Sequence, residues 1–318
     1  MASTVLVERA PGLRPRRNRA GPGPTPPWIR ANRRIYYTFL TPAAVVLVVV
    51  TVFPCLYLFG TSLTPYELTK PQSLQYEGLV NYQRLSQDGR FFNSLWVQAR
   101  LSLATVSLQL LIGLAIAMLL NARWRFIELI RTIYIIPMVL PPVVVAIIWK
   151  VLFSPNISII NWLLELVGIP QRAWLSDPSL ALWAIVIADV WEWFPFTMLM
   201  LLAALQMLPE EPLEAARIDG ATGWQVFWYV ILPLLRPVIL VAGLFRLIDS
   251  AKAFPHIFIM TAGGPGIATE ATNYYAYMQG FSYTFVGFAS AITVAMLVAV
   301  FLLSVLIMRM VGTQVEVE

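Results

Sequence analysis

The stretch "ALWAIVIADVWEWFPFTMLMLLAALQ", residues 181–206, carries only two charged side chains, Asp189 and Glu192. A helix needs about 20 residues to cross ~30 Å of hydrocarbon, and this run is long enough. Five further segments qualify. They are 37–62, 97–120 (ending "SLQLLIGLAIAMLL"), 131–153 ("RTIYIIPMVLPPVVVAIIWKVLF"), 237–260 and 286–310. With 180–206 as the fourth, the pattern predicts six transmembrane helices and an all-α integral membrane fold. Pro137, Pro141 and Pro142 fall inside the third segment. A bundle can tolerate them where neighbouring helices satisfy the freed carbonyls, so one continuous span is expected.

Composition agrees. Of 318 residues, 58% are hydrophobic and 12% charged, against about 25% charged in an average globular domain. Mean hydropathy is +0.71. The net charge of +5 does not indicate nucleic acid, because the basic residues crowd the N-terminal tail, as suits a face against anionic lipid. A single cysteine, Cys55, excludes an intrachain disulfide and a cysteine metal site. The Pro-, Gly- and Arg-rich residues 1–34 cannot bury a core and read as a disordered cytosolic tail. A leading span with its external loop is expected at 35–93, a five-helix core at 94–310, and a short cytosolic tail at 311–318.

Arg and Lys set the orientation. With the tail inside, the inner segments hold Arg9 to Arg34, then Arg123, Arg125 and Arg131, then Arg217 and Arg236, then Arg309. The outer loops hold Lys70, Arg84, Arg90 and Arg172. This bias places both termini and the 208–237 loop in the cytosol.

That loop, "LPEEPLEAARIDGATGWQVFWYVILPLLRP", is more elaborate than a turn requires. Pro209, Pro212 and acidic residues mark a helix start, and Gly220 and Gly223 mark stops. The residues alone leave two readings open, a short helix on the membrane face available to a partner or an ordinary interfacial connector, in either case followed by an amphipathic stretch leading into the fifth span.

The loop resembles the EAA loop of the permease subunits of bacterial binding-protein-dependent ABC importers. Glu214-Ala215-Ala216 is followed after three residues by Gly220, and after nine more by Val230 (where isoleucine is usual), then Leu232-Pro233. "GLVNYQRL" from Gly78, "MTAGGPG" from Met260 and "VGFASAITV" from Val286 extend the likeness to roughly residues 36–310. It is most similar to carbohydrate permeases of the maltose/glycerol-phosphate type. The resemblance implies the permease fold of a type I ABC importer with a cytosolic coupling helix. Glu214, Ala215, Ala216, Asp219 and Gly220 would dock in a groove of an ATP-binding subunit, with Glu214 the charged anchor and Gly220 the backbone turn. It further implies a second, related permease subunit, two ATP-binding subunits, an extracytoplasmic solute-binding protein and a carbohydrate substrate. The location implied is the bacterial inner membrane. ATP and Mg would sit on the partners, with no cofactor, metal or catalytic group on this chain. The absence of a Gly-x-x-x-x-Gly-Lys-Ser/Thr loop agrees.

Charges at membrane depth usually face a cavity or a partner. Asp189 and Glu192 lie in the fourth span, and Arg246, Asp249 and Lys252 in the fifth. The last three share a helix face broadly. They read either as a salt bridge between helices or as a polar cavity on a translocation path, and both can hold. Trp191, Trp193 and Phe194 read individually as packing residues. The resemblance places the sugar-lining positions of maltose-type permeases on Asp189, Glu192, Trp193, Phe196, Arg246, Asp249, Ser250 and Ala253. Rings stack on a sugar's C–H face while carboxylates and guanidinium meet its hydroxyls. This chain is more charged there than the maltose case, which leaves polyols, other oligosaccharides or a phosphorylated glycerol open. His256, the sole histidine, has no partner cluster in the sequence, and no proton or metal role is expected of it. The alternative is an ion-coupled secondary transporter using the intramembrane carboxylates. Against it stand the lack of an obvious inverted repeat and a loop that makes sense only with a docking partner.

Overall fold

The computed structural model describes residues 27–122, 125–155 and 157–315. Residues 1–26, most of the expected disordered tail, lie outside the described residues, as do 316–318. Residues 27–34 and 311–315, also assigned to tails, are helical. Residues up to Leu56 and residues from Tyr57 onward form two compact units.

Helix α1 runs Pro27–Leu47, passes a π turn at Val48–Val52 and continues as Phe53–Ser62. After it come α2 (Val80–Gln87), α3 (Gly89–Leu120), α4 (Ile127–Val139), α5 (Pro142–Leu152), α6 (Ile159–Leu166) and α7 (Ala181–Gln206). The chain ends with α8 (Glu210–Ile218), α9 (Gly223–Ser250), α10 (Thr272–Tyr277) and α11 (Val286–Val315). Among the described residues, five helices are long and apolar enough to cross a membrane. They are α1, α3, α7, α9 and α11.

The third expected span is not continuous: α4 and α5 meet at 94°. Leu140 and Pro141 are extended, with ψ of 141° and 137°. A residue preceding proline is pushed out of the helical region, and here two prolines in succession exclude it twice. Neighbouring helices can satisfy freed carbonyls, but they do not remove that clash. Pro142 then starts α5, where a missing N–H is harmless.

The fifth span is longer than expected, beginning at Gly223 instead of 237. Thr222 and Gln225 form a reciprocal capping box, with Thr222 N donating to Gln225 Oε1 (2.8 Å) and Gln225 N to Thr222 Oγ1 (3.4 Å). A π turn at Phe227–Ile231 precedes Pro233, so helix register resets where the missing donor falls. The stretch read as a separate amphipathic connector is the first part of α9.

α3 and α7 form the centre of the second unit. A Cβ on Gly113 would stand 2.2 Å from Thr197 Oγ1 and 2.9 Å from Met198 N, so the helices cross nearly backbone to backbone. Small residues commonly permit such crossings in membranes. Thr197 Oγ1 donates to Gln109 O at 2.7 Å beside it. Towards the α8 end, Ala117, Leu120, Met198, Leu201, Leu205 and Leu235 pack together. Towards the opposite end the core is Val97, Leu101, Ile185, Val190, Ile257 and Tyr274.

Two motif residues have local reasons. Asn81, within "GLVNYQRL", donates through Nδ2 to Ser62 O (2.9 Å) and Thr64 O (2.7 Å). Gly287, within "VGFASAITV", lies against the same turn, where a Cβ would meet Thr64 O at 2.0 Å. Together they lock the loop after α1 onto the start of α11.

Candidate functional site

Asp189 on α7, Gln109 on α3, and Arg246 and Asp249 on α9 meet inside the helical unit. Arg246, 2% exposed, donates from Nε to Gln109 Oε1 (2.8 Å) and from Nη1 to Asp249 Oδ2 (2.6 Å). Its Nη2 lies 3.6 Å from Asp189 Oδ2, and its guanidinium sits 4.6 Å from the centroid of Trp193. Gln109 Nε2 donates to both Asp189 Oδ2 (2.8 Å) and Asp189 O (3.1 Å). Buried charges persist when paired and hydrogen-bonded, and the glutamine bonds to both Arg246 and Asp189, while Arg246 Nη2 is left with the ion pair alone. The reading of a salt bridge between helices therefore holds.

A cavity lies beside it. Trp193, Phe196, Phe245, Arg246, Ile248, Asp249 and Lys252 line a cavity of about 210 Å³. Phe196 meets Phe245 edge to face, with centroids 6.4 Å apart. Arg246 is spent on protein partners, whereas the Asp249 side chain remains 44% exposed. Four of the eight expected pathway residues, Trp193, Phe196, Arg246 and Asp249, thus converge on one space. The other four are placed elsewhere within the chain. Asp189 lies behind Arg246. Ser250 turns to Ser102 (Oγ to Oγ, 2.8 Å). Ala253 packs on the Val97–Leu101 cluster.

Glu192, the fourth, is fully buried and lies 3.1 Å from His256 Nε2. The expectation that His256 has no partner is thereby corrected. The two groups are far apart in sequence, and only the packing of α7 against the turn after α9 joins them.

The second site is the projecting helix α8. Glu210 and Glu211 occupy its first turn and Arg217 its last, each at the favourable end of the helix dipole. Its end is a Schellman turn. Ala221 N donates to Ala216 O (3.0 Å) and Gly220 N to Arg217 O (3.1 Å), with Gly220 at φ +78°. The side chains of Glu214, Ala215 and Asp219 are exposed, and Ala216 is half-buried. Ile218 is 85% exposed, an apolar side chain offered outward beside the acidic ones.

At the opposite end, the "GGPG" segment turns tightly. Gly263 has φ +80° with Tyr274 pressed against it, and Thr269 Oγ1 donates to Gly264 O (2.8 Å). Arg90 at the start of α3 grips Glu270 with two bonds of 2.8 and 2.7 Å. Tyr275 donates its hydroxyl to Asp88. Burial first, and that carboxylate second, push the phenol well above its usual range. Neither Gln109 nor Glu270 was singled out from the sequence. The signal for Gln109 is an amide in the middle of an apolar run.

A polytopic helical bundle, a charged centre beside an aromatic cavity and a projecting terminal-capped helix define a membrane permease. Residues 109–315 match the family described as the binding-protein-dependent transport system inner membrane component, and the chain belongs to that family. It is 36% identical over 244 residues to the trehalose/maltose transport system permease protein MalF of Thermococcus litoralis, covering 77% of this chain and 82% of that one. It is 32% identical over 283 residues to the trehalose transport system permease protein SugA of Mycobacterium tuberculosis, covering 89% and 90%. Among solved structures, a bacterial ABC transporter involved in the import of the acidic polysaccharide alginate superposes with a TM-score of 0.77 at 20% identity, over 90% of this chain and 98% of that one. The fold is that of an ABC importer permease, and such permeases work with a periplasmic binding protein and an ATPase.

Proposed function

We propose that this chain is the translocating subunit of an ATP-driven importer that passes a carbohydrate, delivered by an extracytoplasmic binding protein, across the bacterial inner membrane. The observation that carries the coupling is the exposed helix α8, capped at Gly220 and joined through Thr222 to α9. Because α9 also carries Arg246 and Asp249, a push on α8 has a direct route to the cavity. Glu214, Ala215, Ala216, Asp219 and Gly220 form the docking surface for an ATP-binding subunit, and ATP and Mg reside there. A second permease completes the pathway and two ATP-binding subunits drive it. Positive residues at the α8 side support a cytosolic loop and cytosolic termini.

The carbohydrate reading rests on the sugars named for the relatives and on the pairing of rings with an available carboxylate. Trp193 and Phe196 offer faces to C–H groups, and Asp249 offers an acceptor to hydroxyls. Asp189, Glu192, Ser250 and Ala253 would support those walls. In the test, the tagged chain is purified with its companions and reconstituted in proteoliposomes. Co-purification of an ATP-binding protein and uptake that requires MgATP and binding protein are expected. Uptake by this chain alone on an ion gradient, without ATP, would replace the proposal with a secondary transporter.

A further inference from the structure

A cavity of about 410 Å³ lies between α3, α9 and α11. Leu247 and Ala251 form its α9 wall. At 3.6 residues per turn they stand about half a turn round the helix from Asp249, which lines the Trp193–Lys252 cavity. The end of α9 is therefore a partition with a cavity on each side. Gln98 on α3 and Thr272 at the start of α10 give the new cavity a polar corner. Gln98 Nε2 donates to Ser250 O and to Ser102 Oγ, both at 3.0 Å. A carbonyl only accepts, so the amide cannot turn over, and Oε1 is the atom left without a donor. Gln98 is 9% and Thr272 0% exposed, yet neither Gln98 Oε1 nor Thr272 Oγ1 bonds to a protein group.

The remaining walls are apolar, and among the described residues that line the cavity there is no acid or base. Leu103 on α3 and Leu303 on α11 border it and stay 72% and 42% exposed, so it opens on the outside of this bundle. From Met296 to Leu303 the α11 wall runs for about 10 Å. Leaving a buried acceptor and a buried hydroxyl unpaired is costly. Both atoms are shut off from bulk water, so a partner has to come from the cavity side. An alcohol group supplies the donor that Oε1 lacks and can exchange a bond with the threonine hydroxyl. A carboxylate offers Oε1 no donor, and its charge would go uncompensated among these walls.

We infer that this cavity is a binding site for a neutral single-chain amphiphile, an alkyl chain ending in a hydroxyl. The hydroxyl meets Gln98 and Thr272, and the chain lies along α11 towards Leu303. An occupant fills the space behind Leu247 and Ala251 and so braces α9 against movement away from the Trp193–Lys252 cavity. That effect on transport rests on the solute-pathway reading of the other cavity, whereas the binding site does not.

The test uses the complete complex in nanodiscs and 1-decanol carrying a mid-chain diazirine, with the photolabelled peptides mapped by mass spectrometry. Saturable labelling within 95–103 and 296–303 is expected. Unlabelled 1-decanol should compete about tenfold better than 1-methoxynonane, which has the same length but no donor, and better than decanoate. Ala299→Phe fills the cavity from its wall without removing a hydrogen bond, and it should abolish the labelling. Gln98→Leu should erase the advantage of the alcohol over the ether, and Thr272→Val should reduce it if the Gln98 variant fails to assemble. Unsaturable labelling, equal competition by alcohol and ether, or labelling that survives Ala299→Phe would overturn the site. So would labelling of the isolated chain that disappears in the complete complex, since a second permease would then cover this face. Specific labelling combined with MgATP-dependent uptake that 1-decanol does not slow keeps the site and removes only its hold on transport.

Discussion

Gly113 and Thr197 occupy adjoining turns of α3 and α7 with no room for a methyl group between them, since a Cβ on Gly113 would lie 2.2 Å from Thr197 Oγ1. This contact sets how closely the helices approach and so where Gln109, one turn earlier, delivers its amide. Gly113→Val should cost about 1–3 kcal/mol by overpacking. Its signature is a lower melting temperature and reduced recovery of monodisperse protein. A wild-type melting curve would show that the crossing tolerates separation.

Gln109→Leu should be more damaging than its size suggests. It removes the acceptor of Arg246 Nε and the donor to Asp189, leaving two enclosed charges poorly satisfied. Breaking a buried pair commonly costs about 3–5 kcal/mol, so the purified yield should collapse. Gln109→Glu restores the acceptor but places a further anion beside Asp189, and it should not rescue stability.

At the projecting helix, Gly220→Val forces a branched side chain into φ +78°, a strain of about 1–2 kcal/mol. ATP-coupled uptake should fall about tenfold or more, while solute capture by the binding protein is unchanged. Glu214→Ala should give the same separation and weaken retention of the ATP-binding subunit on gel filtration. Normal uptake by both variants would remove the docking role from this helix.

Asp249→Asn retains the shape of the cavity but weakens the acceptor and its bond to Arg246. The apparent KM for solute uptake should rise several-fold, with a smaller change in kcat. Unchanged transport and assembly would show that Asp249 is not part of the pathway.

Arg90→Lys keeps the charge but loses the two-pronged grip on Glu270. About 1–2 kcal/mol of stability should disappear, read as a drop of several degrees in thermal unfolding. The effect should change little at raised salt, because the Glu270 side chain is only 3% exposed.

Hydropathy alone located four of the spans closely, because the length of an apolar run is a local property, but it did not give the break in the third or the bounds of the fifth. The helix at 210–218 was legible for a similar reason: its proline, acidic and glycine signals all lie within one short window. The elbow at Leu140–Pro142 was written in the double proline but was outweighed by the continuity of apolar residues around it. The early start of α9 was hidden by Pro233 and Pro237, which resemble stops until the π turn is seen. Trp193 with Phe196, and Arg246 with Asp249, face one cavity because i, i+3 spacing decides who shares a helical face. The bond from Gln109 to Asp189 and the pairing of Glu192 with His256 depend on how separate helices cross, and no local pattern encodes that.

The capping box at Thr222 makes α9 a single rod from the projecting loop to Ser250. Its 28 residues at 1.5 Å per residue give a length of about 40 Å. Pivoting such a rod by ~10° about its Thr222 end sweeps Asp249 through about 7 Å, more than the width of a pyranose ring. On the proposed docking role of α8, interface motion too slight to unseat that helix would be geometrically enough to carry one wall of the cavity past a solute.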